Sequence, residues 1–495
     1  MSTLSDLLPA GAGGKNVSFI AEGTLSNGQA VALRSDGKVE AVAQASQAIG
    51  SANSWAPAGS HPTLSTGPYG SVYDPDQQRV VVTYYDQNNN YYGYCIVGEV
   101  DPSNNTITFG TETIFSSVFV ITHSIDYDTT NDKVVVFYQD VSSSSHGKAR
   151  VGTVSGSSIS FPGNITTFNN ASTEDCTSVF NPDQGVFLVA FKNNGNNGRP
   201  TGVVGTVSGN NISFGSTQQA DSVTASYLAL TYNTTTSRYL FIYNDNQFTN
   251  VTCQLPTTSG STVTFGGAVG YVPLNGSNTA QGNFTNLVSD DASNTAFIVT
   301  ANTQNNTYIS AIAITIPALG NTLTFGTENF FAGNTVPTTI SAVFDKGARK
   351  LVVSYVSNNN ATVVAASFVG TTLTFGSPNT WRTLPTNYLT NVYDDSHDRV
   401  VISYYEPNTS SSASVVFKPE SSNVARFIGI TDAAIANAST GNVTIKGGIA
   451  SKGLSGLTPN SVYYVADNGT ISTTSTGLRI GKALSTSSIN LEFQT

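Results

Sequence analysis

Short runs dense in β-branched and aromatic residues, each closed by Asn, Asp or Gly, follow one another through the middle of the chain. RVVVTYY (79–85), KVVVFYQ (133–139) and RYLFIYN (238–244) are three of them. No stretch there has the apolar spacing of a helix, so the pattern predicts strands joined by tight turns. The runs belong to a repeat. SVYDPDQQRVVVTYYD (71–86) returns as SIDYDTTNDKVVVFYQD (124–140), SVFNPDQGVFLVAFKN (178–193), LTYNTTTSRYLFIYND (230–245), LVSDDASNTAFIVTAN (287–302), AVFDKGARKLVVSYVS (342–357) and NVYDDSHDRVVISYYE (391–406). Its turn residues are Asp74, Asp128, Asn181, Asn233, Asp290, Asp345 and Asp394, about 53 positions apart.

Each unit reads as four strands, here a to d: one ending at the turn, the apolar run after it, a third beyond an Asn-rich loop, and a fourth ending in a motif such as ITFG. Four-stranded units at this period predict an all-β, seven-bladed β-propeller. The fourth strand occurs only six times, at Phe109, Phe161, Phe214, Phe265, Phe325 and Phe375, and the last unit stops after SASVVFKPE (412–420). The missing piece lies at the other end of the chain. AIGSANSW (48–55) matches TFGSPNTW (374–381), with Ile49 for Phe375, Gly50 for Gly376, Asn53 for Asn379 and Trp55 for Trp381. Residues 46–55 are therefore expected to pair with 412–420 and close the ring, which removes two exposed sheet edges.

Outside the ring, LSNGQAVALRSDGKV (25–39) aligns without gaps on LTPNSVYYVADNGTI (457–471), each with a two-residue turn, Asp36-Gly37 and Asn468-Gly469. The reading is a small β domain built from both chain ends, 16–45 and 421–495, with the propeller 46–420 inserted in it. Residues 1–15, with Pro9 and the run GAGG, form an attachment arm.

Charge narrows the partners. Of 495 residues only 11% are charged, the net charge is −10, and no basic run occurs, which argues against nucleic acid. No segment is apolar for long enough to insert in a membrane, and the start of the chain lacks the pattern of a cleavable export signal. Cys95, Cys176 and Cys253 sit in apolar runs and read as buried free thiols.

The arm MSTLSDLLPAGAGGK, the segment FIAEGTLSNGQAVALRSDGKVEAV and the ending RFIGITDAAIANASTGNVTIKGGIASKGLSGLTPNSVYYVADNGTIST resemble the flanks of virion structural proteins of marine tailed bacteriophages. The likeness is to cyanophage proteins of the tail-fibre or fibre-like kind, and it covers about the first 45 and last 75 residues. It implies localisation in the virion, contact with other virion proteins through the arm and the β domain, several copies per particle, and display of the propeller. It brings no catalytic residues.

Residue types that recur in most units build the blade, so only departures are candidates for function. Arg79, Lys133, Arg238, Lys350 and Arg399 recur at the start of strand b. Trp55, Phe115, Tyr271, Phe331 and Trp381 recur beyond strand d and are expected to pack between blades. The cluster of arginines and the S-x-D-x-G-x-T-W turn that sialidases need are missing, and the four histidines form no zinc-ligand spacing. No cofactor or metal is expected. Glu174 and Asp175 are not repeated, but neighbours on a strand point to opposite faces and should not meet one substrate. The remaining departures lie in the b–c loops: Tyr91, Tyr92, His146, Arg199 and Phe248. Aromatic rings and Asn side chains suit sugar contact, against the plainer reading that these loops are solvated and their rings pack locally. The expectation is a non-enzymatic phage appendage, a fibre or decoration protein, touching a host glycan. A virion-borne glycan hydrolase and a purely architectural virion protein are the alternatives.

Overall fold

The computed structural model describes residues 15–34, 36–56, 70–245, 250–271, 282–302, 308–333, 337–409, 411–475 and 477–492. Among them there is no α-helix, and four single-turn 3-10 helices interrupt an otherwise all-β chain. The chain divides into two compact units, Ala48–Pro419 and a second made of Met1–Gln47 with Glu420–Thr495. All of the arm except Lys15 lies outside the described residues.

The larger unit repeats one antiparallel meander of the type that builds propeller blades, seven times among the described residues. In the first, Gly70–Asp74, Arg79–Asp86, Tyr92–Asp101 and Thr106–Phe109 lie side by side in chain order. A further piece, Thr113–Ser116, pairs with the same third strand, so strand d comes in two parts. The second part carries the aromatic residue of the repeat. Phe115 is fully buried there, Phe331 stacks on Phe375 at 4.2 Å, and Trp55 and Trp381 are half-buried.

The a–b turns repeat for a local reason. A carboxylate or amide at the end of strand a accepts the backbone N–H groups that the turn leaves unpaired. Gln77 N donates to Asp74 at 3.0 Å, Thr130 N to Asp128 at 2.8 Å, Asp183 N to Asn181 at 2.9 Å and Ser396 N to Asp394 at 3.1 Å. Hydrophobic clusters then form between consecutive meanders. One holds Val81 and Val97 of the first with Val134 and Val136 of the second. Another joins the seventh back to the first through Val392, Val401 and Val416 against Val80, Val82 and Ile96. The three cysteines are buried and unpaired in such clusters.

The seventh meander, Asn387–Asp394, Arg399–Glu406 and Ser411–Lys418, has its fourth place filled from the start of the unit. Ile49 pairs with Phe417, Asn53 with Ser414 and Ala56 with Ser412. In the sixth, Phe375 pairs with Ala366, Asn379 with Val363 and Arg382 with Ala361. The segment 48–56 thus takes the register of 374–382, as the matched sequences require.

The smaller unit contains two five-stranded sheets of one topology. In the first the order is Asn16–Ile20, Thr440–Ile445, Phe427–Thr431, Ala30–Leu33 and Val39–Ala41. In the second it is Ile449–Ala450, Ser488–Leu491, Leu478–Ser485, Val462–Val465 and Ile471–Ser472. Even the irregularities correspond. Val31 pairs with Gly429 and Tyr463 with Gly481, each next to a bulge. A Cβ on either glycine would sit within about 2 Å of a partner-strand carbonyl, 2.1 Å from Thr444 O and 1.9 Å from Asn490 O. The sheets share a core of Ala30, Phe427 and Ile430 with Val465, Ile480 and Ile489. The matched hairpins of the sequence therefore belong to two copies of one sheet, each copy complete, where the sequence had indicated a single hairpin pair in one domain.

In the first copy the chain leaves for the larger unit between Val39–Ala41 and Phe427–Thr431, whereas the second copy makes the same connection directly. Gln44 and Ala45 pair with Ser422 and Ser421 at that point, so a two-residue Asn-Gly turn can bridge them. A chain joining Ala45 to Ser421 in this way is expected to fold and to melt in one cooperative transition, read by circular dichroism. A broad or missing transition would contradict the completeness of the copies.

Candidate functional site

The b–c end of the meanders carries the non-repeated chemistry. In the first three, strand b runs into a 3-10 turn at Gln87–Asn89, Val141–Ser143 or Asn194–Asn196. Each turn is followed by two residues at positive φ: Asn90 and Tyr91, Ser144 and Ser145, Asn197 and Gly198. This left-handed pair reverses the chain into strand c. Tyr92, His146 and Arg199 therefore open strand c in one register, opposite Asp86, Asp140 and Asn193. Asn250, Tyr308, Asn360 and Ser411 hold the same place in the later meanders. Three residues picked out as departures from the repeat are thus one repeated position with changing side chains. Aligning the loops on their turns, not on sequence similarity, is the signal that would have found this.

These residues differ in what they have free. Arg199 is half-buried and donates to Gln219 Oε1 at 3.2 Å. His146 is half-buried, and Tyr92 packs against the cluster joining the seventh and first meanders. Tyr91 stacks on Phe119 at 4.3 Å and lies 5.9 Å from Tyr85, so its ring is engaged in local packing. Phe248 lies outside the described residues. Of the described ones, Tyr92, His146 and Arg199 belong to three different meanders, at the b–c end of each.

A second feature lies at the same end on the first strands. Strand a carries a β-bulge there in six meanders, at Ile121/His123, Glu174/Thr177, Ser226/Ala229, Gly282/Phe284, Pro337/Thr339 and Asn387/Thr390. Three of the bulges hold non-glycine residues in the left-handed region: Asp175 at φ 47, Tyr227 at φ 53 and Tyr388 at φ 50. Such a conformation costs of order 1–3 kcal/mol and re-aims the side chain.

The bulges of the third and fourth meanders bring four polar side chains together. Glu174 pairs with Lys192 at 2.9 Å. Asp175 Oδ2 accepts the Tyr227 backbone N–H at 3.2 Å from the neighbouring meander. Burial raises the Asp175 carboxyl above the usual carboxylate range, with the Tyr227 N–H and the Lys192 charge pulling the other way. Alternation along a strand would set Glu174 and Asp175 on opposite faces. The bulge breaks that alternation, and both carboxylates come under the charge of Lys192. Tyr227 is 37% exposed beside them.

At the opposite end a shallow hollow of about 360 Å³ is lined by Gln184, Val186, Thr258, Ser259 and Gly260, and Gln184 and Thr258 hydrogen-bond across it. Among the described residues no group of three or more His, Cys, Asp or Glu side chains is placed to hold a metal ion.

No family model matches the chain, and no curated protein matches it either. Among solved structures it is similar to the β-propeller domain of Cps50 (Swd1) from Myceliophteria thermophila, at 8% identity and a TM-score of 0.45, over 74% of this chain and 99% of that one. A Lactobacillus plantarum protein matches at 12% identity and 0.42, over 65% and 87%. A variant of the NanB sialidase of Streptococcus pneumoniae matches at 9% and 0.40, over 73% and 70%.

Proposed function

We propose that this chain is a fibre-like structural protein of a bacteriophage particle that displays a seven-bladed β-propeller, closed by residues 48–56, for contact with glycans of the host surface. The unit built from both chain ends, with the N-terminal arm, attaches to other virion proteins, and many copies per particle turn weak single contacts into useful avidity. The carrying observation lies within the propeller. Ala48 and Lys418, where the chain enters and leaves, pair at the end where the a–b hairpin of the same sheet turns between Asp394 and Arg399. The varied residues Tyr92, His146 and Arg199 and the bulged strands sit at the other end, which leaves that end for a partner. The resemblance of the flanks to phage virion proteins supplies the particle.

The reading is checked in two steps. Antibodies raised against the purified protein are expected to decorate virus particles from the source culture in electron micrographs, and labelled protein is expected to bind host cells until periodate has oxidised their surface sugars. Undecorated particles would remove the virion role, and periodate-insensitive binding would remove the glycan. Release of reducing sugar from host polysaccharide would favour the hydrolase, whose motive in the structure is the raised pKa of Asp175 beside Glu174.

A further inference from the structure

We propose that Asp175, Tyr227, Glu174 and Lys192 form a sugar subsite selective for uncharged glycans, an inference that rests on the glycan-contact reading above. Tyr227, 37% exposed as a residue, is set by a backbone at φ 53. A tyrosine ring face covers the C–H side of a pyranose without needing charge. Beside it Asp175 is half-buried, and the Tyr227 backbone N–H is the donor that meets its carboxylate at 3.2 Å, on Oδ2. A carboxylate has about four acceptor positions, so Asp175 keeps capacity for two sugar hydroxyls. Hydroxyl donors to a carboxylate in surroundings of low polarity make stronger hydrogen bonds than neutral pairs do.

Charge sets the selectivity. Lys192, the cation at this spot, is held by Glu174 at 2.9 Å, so the pair is neutral and Asp175 carries the residual negative charge. A carboxylated sugar would meet that charge where the cation acting on Asp175, Lys192, is already paired with Glu174, and a like charge brought up to a partly buried one is disfavoured. Arg199, at the start of strand c of the same meander, donates Nη1 to the side-chain amides of Gln219 and Asn196. The site accepts hydroxyls and rejects carboxylates.

The test uses the full-length protein and defined probes: maltotriose, mannotriose and chitotriose as neutral sugars, sialyllactose and trigalacturonic acid as acidic ones, read by saturation-transfer NMR and calorimetry. Two variants keep the left-handed backbone, since Asn tolerates positive φ: Tyr227→Asn removes the ring, and Asp175→Asn keeps an acceptor for the Tyr227 N–H while losing the charge. At least one neutral probe is expected to bind the native protein at least about ten-fold more tightly than either acidic probe. Each variant should lose about ten-fold in that affinity with an unchanged melting curve, and Asp175→Asn should in addition narrow the gap between neutral and acidic probes. Neutral-sugar binding untouched in the double variant would overturn this site and leave the glycan reading standing. Equal or tighter binding of acidic probes would overturn the selectivity. Failure of every probe would overturn the subsite, with the periodate experiment deciding the broader reading separately.

Discussion

Replacing Gly50 by alanine is expected to destabilise the larger unit by about 1–3 kcal/mol, the usual cost of forcing atoms into a filled space, while the same change at Gly376 costs a small fraction of that. The two glycines occupy matching positions in 48–55 and 374–381, so sequence alone treats them alike. Their surroundings differ. A Cβ on Gly50 would stand 1.7 Å from Asn105 O, in the c–d turn of the first meander. Gly110, Gly163 and Gly215 meet the turn of the next meander in the same way, at 1.9, 1.7 and 1.8 Å. Next along is the seventh meander, where entry at Ala48 and exit at Lys418 replace a continuous c–d turn, and the nearest atom to a Cβ on Gly376 is Ala365 O at 3.3 Å. Urea unfolding of the two variants distinguishes them, and equal losses would refute the seating of 48–56 against the first meander. Trp55 adds to the same seam through its Nε1–H bond to Ser414 Oγ at 2.9 Å and the rings of Tyr84 and Phe109.

His123 gives the second large effect, and it depends on pH. The corresponding positions of four other meanders hold Cys176, Leu228, Ile340 and Leu389, but His123 is 3% exposed, and among the described residues neither ring nitrogen makes a well-formed hydrogen bond, the Thr83 backbone being the polar group that acts on it. Tyr138, opposite His123 in the sheet, turns its hydroxyl to Ser116, and Phe115 packs against both rings. Burial pushes the histidine pKa down to about 4. Because the folded value lies below the ordinary value of about 6.5, the unfolded chain binds the proton more readily between those values. Stability contributed by neutral His123 is complete above about pH 6.5 and is lost as pH falls toward 4, by about 3 kcal/mol in total.

Two carboxyls oppose this. Burial raises Asp126 to about 7 and Asp345 to about 6, so their contribution is present at low pH and lost as pH rises through those values. Asp126 keeps some exposure, which weakens its share. The whole-protein profile therefore mixes opposite slopes, and the variant His123→Leu isolates one of them. Leucine suits a site whose counterparts are Leu228 and Leu389. Relative to the native protein, the variant should gain about 3 kcal/mol between pH 7.5 and pH 4, measured by urea unfolding at both values. A difference that does not change with pH would mean that His123 is already charged or solvated in the fold.

Sequence by itself determined the parts whose cause is local. The Asp and Asn turn residues, the apolar b strands and the six ITFG-type strands each follow from a few neighbouring residues, so their recurrence announced the all-β meander. The clasp was legible for the same reason, because AIGSANSW carries in its own side chains the register it takes against Phe417 and Ser414. Tertiary structure alone decided what depends on pairing between distant strands. A bulge is a mismatch between two strands, so nothing near Glu174 and Asp175 in sequence reveals that both come under the charge of Lys192, or that Tyr227 of the next meander donates to Asp175. Tyr92, His146 and Arg199 share no chemistry, and only their common register opposite the end of strand b shows them to be one position. The second sheet of the smaller unit stayed hidden because its first copy is interrupted by Ala48–Pro419, and pairing across that interval is set by which strands meet in space and not by their order along the chain.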